Sequence, residues 1–160
     1  MTGATKLTQA AVVLLAIGGI AIAAYLTSVH YASVPLACSS AGVVNCEQVL
    51  HSHFAEVAGI PWSVGGIAWF GVSGLLALIG LRSSPEPGWL QPAQLIWALM
   101  GLAVVFYLIG VELFGVKHMC IWCTSMHVLI LLTLLLVLFR HPDLGLTDDF
   151  SPDQKKAWAP

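Results

Sequence analysis

The chain has 160 residues, of which 58% are hydrophobic and 9% charged. A soluble domain carries about 25% charged residues, and six Lys or Arg with eight Asp or Glu cannot cover a water-facing surface of this size. That composition excludes a cytosolic enzyme and a disordered chain, and a formal net charge of -2 leaves no basic face for nucleic acid; an integral membrane protein of one compact domain remains.

A membrane-crossing helix needs roughly 20 mostly apolar residues. Four stretches meet this, over about 8–29, 63–81, 93–114 and 120–139; Leu, Ile, Val and Ala dominate each, with no strand-like alternation. The first is longer than the apolar core of a cleaved signal. Pro35 also stands where a lipoprotein-type cleavage site before Cys38 wants Leu, so the stretch is read as a retained helix. The expected fold is therefore an all-α, four-transmembrane-helix bundle over residues 1–142, followed by a polar cytoplasmic tail over 143–160. Small residues four apart, Gly19 with Ala23 and Ser73 with Ala77, are its expected packing devices.

Orientation follows from the sparse cations. Lys6, Arg82, Arg140, Lys155 and Lys156 fall on one side of the expected spans, and Lys117 alone on the other. The positive-inside rule places both termini in the cytoplasm and the loops over 30–62 and 115–119 outside. The outer loop holds Cys38 and Cys46 with seven small, flexible residues between them. Such a pair fits either a static disulfide or a mobile relay. Farther along, Leu50, Phe54 and Val57 recur at helical spacing, which predicts a short outer-surface helix over 47–57, with His51 and His53 on its solvated side.

The 82–92 link is rich in Pro and Ser and reads as a solvated connector. Glu112, near the outer end of the third span, has the placement to pair with Lys117 or to relay protons, and reads first as a snorkelling interfacial carboxylate. Cys120-Ile121-Trp122-Cys123 then opens the fourth span. Its thiols lie one helical turn apart, at a helix amino terminus whose partial positive charge favours thiolate at Cys120. Thiolate is the form that attacks a disulfide. All four cysteines fall on the outer, oxidising side, and His51, His53 and His118 lack the spacing of a zinc motif. Cys120, Cys123 and His127 share one helix face, with His127 about 6 Å deeper than Cys123 at about 1.5 Å per residue. An ionisable side chain inside a span is a functional candidate.

Taken together, the paired loop cysteines, Cys46-Glu47-Gln48-Val49-Leu50, Gly59-Ile60-Pro61-Trp62-Ser63-Val64-Gly65-Gly66 and the C-x-x-C segment resemble the vitamin K epoxide reductase family, particularly its bacterial homologues. Quinone reductases of the DsbB type carry the C-x-x-C in the first outer loop; here the order is reversed. The resemblance implies a membrane thiol oxidoreductase that passes two electrons from a thioredoxin-like (DsbA-like) dithiol protein to a membrane quinone, menaquinone or ubiquinone, with no metal. It implies that Cys38 exchanges with the partner and Cys46 attacks the Cys120–Cys123 disulfide through a mixed Cys46–Cys120 bond. Cys123 then faces the quinone.

His127 stands where the vertebrate enzyme has Tyr, and Trp62 where it has a substrate-binding Asn; the second difference suits quinone reduction better than epoxide reduction. Trp62, Ser63, Gly66 and His127 are the expected quinone-binding residues. Only about 20 residues follow Arg140, too few for the thioredoxin-like domain fused to many homologues, so a separate partner protein and a bacterial inner membrane are expected. The competing classes are a vitamin K epoxide reductase proper and a non-catalytic transporter or scaffold with structural disulfides.

Overall fold

The computed structural model describes residues 3–32, 36–38 and 44–140. Four of its helices are long and apolar enough to cross a membrane. Helix is what hydrocarbon demands, because each backbone N–H and C=O must find its partner within the same segment. Helix α1 runs Gly3–Ala32, α2 is the single short turn Cys46–Leu50, α3 runs Trp62–Arg82, α4 Leu90–Gly110 and α5 Ile121–Phe139. The helix of the third span continues beyond α4 as π-helical turns over Val111–Val116. The expected 143–160 tail lies outside the described residues.

Small residues let α1 and α3 approach closely. Ala16, Ala23, Ser73 and Ala77 are buried between them, and a Cβ at Gly19 would run into the Phe70 ring. Thr27 Oγ1 meets Ser63 Oγ at 2.9 Å near one end of the pair. Helices α3 and α4 are joined by two indoles: Trp69 Nε1 donates to the Trp97 carbonyl at 3.2 Å, and Trp97 Nε1 donates to the Trp69 carbonyl at 3.1 Å. Each bond crosses between helices and satisfies a donor that has no water to turn to.

At the end of the bundle away from the cysteines, a buried polar network replaces apolar packing. Gln9 and Gln94 bond to one another, with Gln94 Nε2 to Gln9 Oε1 at 3.0 Å. Arg140 Nη1 donates to Gln94 Oε1 at 2.9 Å and Arg140 Nη2 to Glu86 Oε2 at 2.8 Å. Gln9 also reaches Glu86, so α1, the 83–89 connector, α4 and the end of α5 share one clasp. Burial lowers the Arg140 pKa while the adjacent Glu86 carboxylate opposes that shift; the guanidinium stays charged.

One continuous helix over 47–57 does not form. Helix α2 stops at Leu50, His53–Ala55 makes a 3-10 turn, and strands β1 (Glu56–Val57) and β2 (Ile60–Pro61) pair as an antiparallel hairpin. Its two turn residues, Ala58 and Gly59, have φ of 53° and 78°. Positive φ at both positions is the turn whose twist matches the flanking strands. Leu50, Phe54 and Val57 therefore do not share a helical stripe; Leu50 is buried, while Phe54 and Val57 are exposed.

Replacing Gln94 with Leu removes the acceptor for Arg140 Nη1 and the partner of Gln9. Leaving such buried donors unpaired costs roughly 1–3 kcal/mol. Thermal unfolding of Gln94→Leu in detergent is expected to show a lowered midpoint with the same helical content.

Candidate functional site

The first loop is bound to the lead-in of α5. Asn45 N–H donates to the Met119 carbonyl at 3.1 Å, and Val44 bridges Met119 in parallel register. Asn45 also caps α2, its side-chain oxygen accepting from Gln48 N–H at 3.1 Å. This docking sets Cys46, the first residue of α2, into an apolar cluster with Leu26, Val49, Leu50 and Cys120. Cys46 and Cys120 are both fully buried, at 1% and 0% exposure.

Cys46 is disulfide-bonded to Cys38, whereas Cys120 and Cys123 are free thiols. The backbone just before Cys38 is held from both sides. Ala37 N–H donates to Tyr25 Oη at 2.9 Å, and Trp122 Nε1 donates to the Ala37 carbonyl at 3.1 Å. The Tyr25 and Trp122 rings stand 5.0 Å apart, so a residue inside the C-x-x-C segment directly positions the first cysteine pair.

Cys120 is extended, with φ of -110°, and caps α5: its Sγ accepts the Cys123 N–H at 3.4 Å. A sulfur at this position receives both an orphan helix donor and the positive end of the helix dipole. The hydrogen bond from the Cys123 thiol, assisted by backbone N–H groups of Trp122 and Cys123, holds the Cys120 thiol below the ordinary thiol range.

On the other side of Cys123 lies a cavity of about 310 Å³ between the helices. Cys123 lines it, and so do Trp62, Ser63, Gly66 and His127; Cys38, Cys46 and Cys120 are not among its lining residues. Gly66 faces Met126, whose methyl group would collide with a Cβ there. Most of the wall is apolar, with Trp69, Trp97 and Ile130 among it. Trp62 Nε1 is buried with no hydrogen-bond partner, so the wall offers a donor suited to a carbonyl oxygen. No group of three or more His, Cys, Asp or Glu among the described residues is placed to hold a metal.

Two titratable lining residues fall outside the set expected from sequence. His30, at the end of α1, lines the cavity and lies 3.8 Å from Glu56 of the hairpin. Glu112 is 5% exposed and lines the same cavity, which corrects its reading as a snorkelling carboxylate. It makes no ion pair with Lys117; the ion pairs among the described residues are His30–Glu56 and Arg140–Glu86. A carboxylate inside an apolar span was itself the signal that could have found it.

Residues 10–138 match the sequence model of the family described as the vitamin K epoxide reductase family. No curated protein matches the chain.

Cys123→Ala removes the thiol donor that holds the Cys120 pKa down. In an ultraviolet thiolate titration with the Cys38–Cys46 disulfide intact, the Cys120 transition is expected at higher pH in this variant than in the wild type.

Proposed function

The chain belongs to the vitamin K epoxide reductase family, and on that premise we propose that it carries electrons from a thioredoxin-like dithiol protein to a membrane quinone. Membership makes it a membrane oxidoreductase of the thiol and quinone class. The reading of the route is carried by one observation: Cys46 and Cys120 are buried in one cluster, and Cys123, the next thiol along, lines an apolar cavity.

The partner's thiolate attacks Cys38, breaking the Cys38–Cys46 disulfide. Cys46 thiolate then attacks Cys120 of an oxidised Cys120–Cys123 pair, forming a Cys46–Cys120 bond and releasing Cys123. The partner's second thiol frees Cys38, which closes back on Cys46 and releases Cys120. Two electrons have moved inward, and the first pair is oxidised with the second reduced, the pairing found in the structure. Cys120 suits the middle of this route because a thiol of lowered pKa leaves readily from a mixed disulfide.

Bound in the cavity, a quinone supplies an acceptor for two electrons and two protons. Trp62, Ser63, Gly66 and His127 would hold it, with the unpartnered Trp62 Nε1 as a donor to a carbonyl oxygen. Cys123 delivers the electron pair from the wall, and Cys120 closes the disulfide behind it. The apolar lining excludes water, which strengthens each polar contact inside. In this reading the cysteine end faces outward from a bacterial inner membrane and both termini are cytoplasmic. That arrangement agrees with the five cations at the opposite side.

Quinone absorbance followed with a reduced thioredoxin-like protein tests the route. Wild type is expected to reduce quinone, and Cys123→Ser to have no activity. Cys38→Ser is expected to lose activity with the protein reductant; equal rates for it and wild type would sink the relay. Cys38→Ala is expected to accumulate a Cys46–Cys120 crosslink, seen as a linked peptide by mass spectrometry.

A further inference from the structure

Among the described residues Glu112 is the only carboxylate lining the cavity, and the route above leaves it without a task. Burying a carboxyl in the wall of a mostly apolar cavity is costly unless something offsets it. No cation offsets it here: neither ion pair among the described residues includes Glu112. Its placement is also specific. The π-helical turns over Val111–Val116 break the α-helical register at the residue where the carboxyl meets the cavity. Single π-helical insertions of this kind concentrate at functional sites.

The chemistry of the site supplies a reason for an acid there. Closing the Cys120–Cys123 disulfide breaks two S–H bonds and releases two electrons and two protons. Reducing a quinone takes up two of each at its carbonyl oxygens. In water, solvent would carry the protons from sulfur to oxygen, but an apolar cavity must use side chains. The other titratable groups on its wall are His30 of α1, which lies beside Glu56, and Cys123 and His127 of α5.

Resting on the thiol-to-quinone reading, we propose that Glu112 is the proton carrier of the cavity. As a carboxylic acid it gives its proton to a quinone oxygen while the electron pair leaves sulfur. As a carboxylate it then takes the proton lost by one thiol, gives that proton to the second quinone oxygen, and takes the proton lost by the other thiol as the S–S bond closes. Glu112 thus cycles twice and begins and ends protonated, so the two protons lost at sulfur equal the two gained at oxygen and none need come from bulk water.

The test uses the full chain in detergent, a small dithiol as reductant and a short-tailed benzoquinone. Glu112→Gln keeps the shape of the side chain but carries no acidic proton. It is expected to turn over roughly 100-fold more slowly, with the KM for quinone within about twofold and wild-type thermal unfolding. Glu112→Asp restores part of the rate, which a merely structural role would not predict.

A second readout needs no turnover. Infrared difference spectra of the fully oxidised protein, taken as benzoquinone is added, are expected to show a perturbed carboxylic acid band that Glu112→Gln lacks. Wild-type turnover in Glu112→Gln at every pH, a rate loss explained wholly by weaker quinone binding, or an infrared band that survives in Glu112→Gln would each overturn the proposal. Wild type that reduces no quinone would instead overturn the thiol-to-quinone reading beneath it, and the proton carrier with it.

Discussion

A main-chain hydrogen bond from Asn45 N–H to the Met119 carbonyl joins the first loop to the residue before Cys120. The proposed relay depends on that junction. Cys46 and Cys120 are far apart in the chain, yet the exchange proposed between them needs sulfurs able to touch. With Asn45 held on Met119, the turn it caps carries Cys46 into the apolar cluster that also holds Cys120. The second hold, Tyr25 and Trp122 on the backbone of Ala37, does the same for the approach to Cys38. Trp122 belongs to the C-x-x-C segment itself, so the two cysteine pairs share a mechanical support.

The two ends of the bundle solve opposite problems. Away from the cysteines, Gln9, Glu86, Gln94 and Arg140 bond among themselves, which closes that end with groups whose donors are largely matched. At the cysteine end, Trp62 Nε1 and His30 Nδ1 are buried without partners beside the cavity. Unmatched polar groups are costly in a low-dielectric interior, and in native proteins they mark where a ligand or a reaction completes the set. One end of the bundle is thus closed by a polar network in which Arg140 Nε alone is buried without a partner, while the other leaves Trp62 Nε1 and His30 Nδ1 unmatched beside a cavity.

Much of this was legible in the residues. Apolar stretches of spanning length marked all four long helices, and the α3 and α5 bounds fall within one residue of those expected. The cysteine spacing and the C-x-x-C at a helix start pointed to the chemistry. Trp62, Ser63, Gly66 and His127 do meet at one cavity wall. The hairpin was not legible, because Leu50, Phe54 and Val57 imitate a helical stripe; paired strands on either side of Ala58 and Gly59 override that spacing. Glu112 was misread for a similar reason. Sequence places it near a span end, where a carboxylate ordinarily reaches for water, whereas in the fold it lies in π-helical turns and lines the cavity.

What the sequence determined by itself is the solvent and the chemical inventory: hydrocarbon around four helices, and two thiol pairs at one end of them. Both follow from local facts, since hydropathy sums along a segment and a C-x-x-C pair lies within one helical turn. What only the tertiary structure decided is which groups meet. That Cys46 lies with Cys120, that Cys123 alone of the thiols lines the cavity, and that Glu112 lines it too depend on contacts between segments far apart in the chain. Such contacts are set by long-range bonds like Asn45 N–H to the Met119 carbonyl, and no periodicity along the chain records them.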